Sequence, residues 1–270
     1  MFSRLVIYNF ADVCKEIISN QRYYKEGKRL LDSLKSKVTN SLFKAIDSTQ
    51  SIIDAQDIEN VWFPRIECNI FISHSHKDIE SIISFVGWLY VKYGVIAFVD
   101  DGVWENYNDL RKKLYYKISQ DYEYDLMTED EIEKIAYSNS LLILNSAIEK
   151  MIDSTECFLF IGTDNSLLAG DTHTKSPWIY SEVLFSNMVR RKRLLCYRQH
   201  FEHSFSQRMC ETVEVKFKCS FVNFIEITKQ DFLKFKSYSP AVPIADESLD
   251  TLYKILEKRI LVESKTDFLR

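Results

Sequence analysis

The segment Ser176-Pro177-Trp178-Ile179-Tyr180-Ser181-Glu182 has the clearest capacity for chemistry in this chain. Ser176 suits the cap before a helix, and Pro177 suits the first helical position. Trp178 and Glu182, four residues apart, then leave one face of the first two turns. Other polar groups follow short apolar runs: Ser73 and His74 after Asn69-Ile70-Phe71-Ile72, and Asp101 after Val95-Ile96-Ala97-Phe98-Val99. If those runs are parallel strands, all these groups emerge at the carboxyl edge of one sheet, where open α/β folds bind ligands. A carboxylate there can stabilise a developing positive charge. An indole, Trp178 or Trp104, can stack on a flat ring. Taken alone, a glutamate in a second helical turn is an ordinary surface residue favoured by the helix dipole. Trp178 equally suits core packing beneath the helix start.

The elements that must position these groups follow from periodicity. Cys68 to Ile72 is a β-rich run, and Ile79 to Tyr93 a helical pattern with Ile82, Ile83, Val86, Leu89 and Tyr90 on one side. Gly94 stops that helix in the manner of a C-cap. Further strands are expected at Val95–Val99, Cys157–Ile161, Leu194–Tyr197 and Phe221–Ile227, with helices at Leu141–Ile152, Pro177–Val189 and Leu249–Leu261. Strands apolar throughout and alternating with helices predict an α/β fold with about five parallel strands in flavodoxin-like order, both faces covered. Residues 1–62 read as a helical extension: Leu31, Leu34, Val38, Leu42 and Ile46 form one stripe, and Val6 to Ile18 a weaker one. Pro64 marks its boundary. The α/β domain is set at 66–235, and 236–270 as a loop punctuated by Pro240 and Pro243 plus a closing helix packed on that domain.

Composition narrows the class. At 46% hydrophobic the 270-residue chain can bury a core, and six glycines with four prolines exclude collagen-like or low-complexity readings. The net charge of −4 argues against nucleic acid as the main partner. The basic run Arg190-Arg191-Lys192-Arg193 closes an apolar helix, where cations suit the dipole's negative end. The six cysteines form no CxxC pair, and several sit in apolar runs, as expected of free thiols in a reduced, cytoplasmic protein. Asn9 and Asp12 break the first apolar stretch before signal-peptide length, and no window suits a membrane span. His74 and His76 lack a further ligand set, so no metal is expected; His173, His200 and His203 take no role. Asp78 is expected to cap or pair near the helix that follows it.

Three blocks, in order, resemble the Toll/interleukin-1 receptor (TIR) domain family. They are Asn69-Ile70-Phe71-Ile72-Ser73-His74-Ser75-His76-Lys77-Asp78, then Ser154 to Ser166, then Ser176-Pro177-Trp178 with Glu182. The style is that of bacterial members acting in antiphage defence, the TIR component of the Thoeris system among them. The resemblance implies NAD⁺ as substrate rather than cofactor, cleaved at the nicotinamide–ribose bond to ADP-ribose or a cyclic or modified signal, which a downstream effector would bind. It assigns Glu182 as the catalytic carboxylate and Ser73, His74, Asp101, Trp104 and Trp178 as substrate-binding groups. It also implies homo-oligomers through TIR–TIR contacts, with the Asp101–Glu105 loop lining the pocket or touching a neighbour. Asn106 to Tyr137, with the acidic turn Thr128-Glu129-Asp130-Glu131, is longer than the family's usual connection, and Gln199 to Ser220 fits it poorly. Two rivals stand beside the enzyme: a TIR interaction module without turnover, and a nucleoside deoxyribosyltransferase-like enzyme.

Overall fold

The computed structural model describes residues 1–39, 54–100, 107–121, 127–168, 172–192, 194, 197 and 217–267. At its centre lies an all-parallel, five-stranded sheet. Its strands are β1 (Ser3–Tyr8), β2 (Ile70–Ser73), β3 (Ala97–Phe98), β4 (Cys157–Gly162) and β7 (Ile225–Glu226), in the order β3-β2-β4-β1-β7. A two-stranded antiparallel ribbon, β5 (His173–Thr174) with β6 (Phe217–Lys218), stands apart from it. The α/β, flavodoxin-like expectation therefore holds at the level of sheet and helices.

The position of β1 corrects the sequence reading. Residues 1–62 are not a helical extension: Ser3 to Tyr8 run beside Cys157 to Gly162 in full register, with Leu5 and Val6 also paired to Ile225 and Glu226. Leu5, Val6 and Ile7 are buried in the same core as β2 and β4. A three-residue apolar run has no periodicity to separate strand from helix, so Val6 was absorbed into the helical pattern that follows it. Of the strand expected at Leu194–Tyr197, Leu195 and Cys196 lie outside the described residues, and neither Leu194 nor Tyr197 is a strand residue. Leu194 lies in a turn closed by Tyr197 N–H on its carbonyl, at 3.0 Å, and β1 takes the place between β4 and β7.

Short helices α1 (Phe10–Val13) and α2 (Lys15–Ile18) lead from β1 to α3 (Gln21–Thr39), which packs on α5 (Ile79–Tyr93). The two helices touch backbone to backbone through glycine. A Cβ on Gly27 would lie 1.9 Å from the Ile83 carbonyl oxygen, and one on Gly87 1.9 Å from that of Tyr23. Of the stripe expected along α3, Leu31 and Leu34 are buried, whereas Leu42 and Ile46 lie outside the described residues. α4 (Ala55–Trp62) is joined to α7 (Glu129–Ser154) by Lys150, which donates to both Glu59 carboxylate oxygens at 2.7 and 2.9 Å.

The long connection after β3 forms α6 (Tyr107–Asp121), packed on α7. The acidic turn is the start of α7: Thr128 and Glu131 cap each other reciprocally, so the helix begins three turns ahead of the expected Leu141. α8 (Pro177–Met188) packs on α7, and α9 (Lys229–Ser237) and α10 (Ala245–Asp267) complete the chain. α9, missed from the sequence, opens with a Thr228–Asp231 capping box and buries Phe232 and Phe235 against Trp88 and Tyr93. No helix among the described residues is long and apolar enough to cross a membrane.

Successive steps from β1 to β2 to β3 run one way along the sheet, and those from β3 to β4 to β7 run the other. Right-handed crossovers then send the intervening helices to opposite faces. Next to β2 and β4 the direction reverses, and at such a point the carboxyl ends of the strands open a crevice.

Candidate functional site

Three elements meet at that crevice. β2 ends in Ser73, fully buried, whose Oγ donates to Glu182 Oε2 at 2.6 Å. Glu182 comes from the second turn of α8, which starts as the sequence predicts: Ser176 Oγ accepts from Ile179 N–H at 3.3 Å and Pro177 occupies the first turn. The third element is the exit of β3. There Asp100 lies close enough for its charge to act on both Glu182 and His74.

Glu182 is 3% exposed. Burial pushes its carboxyl well above the ordinary range, and the negative charge of Asp100 pushes the same way; the Ser73 hydroxyl bond opposes both. The site therefore favours the protonated form of this carboxyl more than water does. His74, next along the chain and 6% exposed, is driven the opposite way: burial pushes its imidazole below the usual value, against the pull of Asp100. Its ring meets that of His76 edge-on at 6.5 Å. Among the described residues no group of three or more His, Cys, Asp or Glu could hold a metal ion.

The crevice has a second polar tie. Asp78 accepts from Thr163 Oγ1 at 2.5 Å and from Asn165 Nδ2 at 2.6 Å, joining the exit of β2 to the exit of β4. Asp78 therefore pairs across the sheet edge, and makes no side-chain cap on α5.

Of the residues singled out from the sequence, Ser73, His74 and Glu182 come together. Trp178 is half-buried, its ring edge-on to Tyr107 of α6 at 5.7 Å, so packing engages one part of the indole. Asp101 and Trp104 lie outside the described residues, as do all of residues 101–106. Sequence reasoning missed Asp100 in favour of its neighbour Asp101. Both follow the same apolar run, and nothing local in the sequence separates them. Thr163 and Asn165 stood inside the block that matched β4, but nothing local marked them as partners of Asp78.

No protein-family model matches the chain, and comparisons with curated proteins and with solved structures gave no match.

Proposed function

We propose that this chain is a TIR-type enzyme that cleaves the nicotinamide–ribose bond of NAD⁺, with Glu182 as its catalytic carboxylate. The observation that supports this is the buried Ser73–Glu182 pair at the carboxyl edge of the sheet, with Asp100 beside it. A cationic nicotinamide ring entering beside Glu182 favours the ionised carboxylate, so substrate binding itself drives the acid's proton to solvent. As the glycosidic bond breaks, its electron pair goes to the nicotinamide nitrogen, which leaves neutral. The ribosyl carbon becomes oxocarbenium-like, and the Glu182 carboxylate stabilises it. Water then adds to that carbon and gives up a proton, leaving ADP-ribose; attack by a nitrogen of the adenine ring instead closes a cyclic product. Trp178 and Trp104 supply ring surfaces, and Ser73 and His74 line the inner wall.

The wider setting carried by the resemblance belongs to the same proposal: a cytoplasmic homo-oligomer whose nucleotide product signals to an effector during phage infection. One observation favours a second reading, a TIR assembly module without turnover. At 3% exposure Glu182 meets almost no solvent, as a purely structural Ser–Glu pair would. Chromatography of NAD⁺ products from the wild type, Glu182→Ala and Glu182→Gln, at high protein concentration with a crowding agent, separates the two. Nicotinamide release by the wild type that both substitutions abolish is the expected result. Equal release by all three would take the catalytic role from Glu182, and none from any would leave the assembly module as the better account.

A further inference from the structure

The helix carrying Glu182 is finished by a residue from the far end of the chain. α8 has no Lys or Arg in its last turn, and Val189 leaves it in extended backbone with no glycine cap. Its final carbonyls, the negative end of the helix dipole, need donors from elsewhere. Arg4 of β1 supplies them: Nε donates to the Ser186 carbonyl, and Nη2 donates to the Val189 carbonyl at 2.7 Å. Lys192, of the basic run expected to serve this end, donates instead to the Asp153 carboxylate of α7 at 2.6 Å.

Arg4 is 4% exposed. A guanidinium is expensive to bury, and an unbranched apolar side chain would fill the same space between sheet and helix at less cost. What arginine adds is a planar fork that fixes two carbonyls in direction as well as distance. Ser186 stands four residues beyond Glu182, on the same helix face and about 6 Å along the axis. That face is therefore held at two points, by Ser73 on the Glu182 carboxyl and by Arg4 one turn further on. Rotating α8 about its axis, or sliding it along β1, disturbs both.

We infer that Arg4 is a positioning residue: it sets the rotation and height of α8 and so holds the Glu182 carboxyl against Ser73. Its importance for turnover rests on Glu182 being the catalytic carboxylate, as proposed above. The segment that reads as an outlying extension is then part of the site's support.

The test uses the full chain with Arg4→Met and Arg4→Lys, each with and without Glu182→Gln. The first readout needs no activity. In the wild-type background, Glu182→Gln flattens the fall of stability with rising pH, because a buried carboxyl is removed. In Arg4→Met that flattening shrinks to less than half, since a carboxyl released from its buried setting titrates ordinarily; Arg4→Lys, which still reaches one carbonyl, falls between. The second readout is NAD⁺ turnover per folded molecule. Arg4→Met lowers kcat about a hundredfold, the order expected when a reacting group is displaced by about an ångström, with KM within about twofold and partial recovery in Arg4→Lys. Lowered melting temperature with the Glu182→Gln effect and kcat both intact would overturn the inference and leave Arg4 a purely structural cap. If Arg4→Met does not fold, Arg4→Lys alone decides by the same two readouts. Nicotinamide release that ignores Glu182→Ala would sink the functional proposal instead, while the pH readout still judges Arg4.

Discussion

Replacing Glu182 by glutamine removes one titrating proton from the protein and keeps nearly every contact. The amide oxygen still accepts from Ser73, the volume is unchanged, and the group no longer ionises. In the wild type the folded carboxyl binds its proton more tightly than the unfolded one, because burial and the charge of Asp100 outweigh the Ser73 bond. Below the ordinary carboxyl pKa both states are protonated, and the stabilisation is fully present. As pH rises above that value the unfolded chain releases the proton and the folded chain keeps it. Stability then falls, until the raised folded value is passed and the curve levels. For one proton the slope is about 1.4 kcal/mol per pH unit. Glu182→Gln lacks this contribution, so the two stability curves should run together in acid and diverge above it, with the glutamine variant the more stable. Urea unfolding followed by circular dichroism from pH 4 to pH 8.5 reads the difference directly. Parallel curves across that range would refute the account, since they would mean that the carboxyl titrates alike in folded and unfolded protein.

Four further outcomes follow from the structure. Asp100→Asn removes a charge that raises the Glu182 pKa, so the divergence should end at lower pH; Ser73→Ala removes a bond that lowers it, and should carry the divergence higher, both read by the same titration. Gly27→Ala should cost about 1–3 kcal/mol or more in denaturant unfolding, because the new methyl meets the Ile83 backbone and neither helix can retreat from the other without opening the core. A chain truncated to residues 63–270 should not unfold cooperatively, since β4 and β7 would lose the strand between them; a sharp thermal transition with an intact α/β spectrum would contradict the placement of β1.

The sequence by itself determined what is local. Ile79–Tyr93 with its Gly94 cap, Cys157 to Ile161 as a strand, and α8 with Ser176 and Pro177 at its head all followed from side-chain spacing, capping chemistry and φ preference within a few residues. From these the α/β class followed too, and so did the meeting of Ser73 with Glu182, because Ser73 ends a strand and Glu182 lies in the opening turns of a helix, and a parallel sheet brings strand ends and helix starts to one edge. Tertiary structure decided what depends on partners far away. Leu5-Val6-Ile7 is a short apolar run like several others in the chain, and nothing within it says that it will enter the sheet. That is settled by pairing with β4, some 150 residues away, under the competition of all other strands. Asp100 acts on Glu182 and His74 because the fold brings the exit of β3 beside the exit of β2 and the start of α8, a property of the assembled sheet and of no single strand. Arg4 illustrates the same limit: one arginine in an apolar run carries no local sign of its role, which exists only because the end of α8 presents two carbonyls to it.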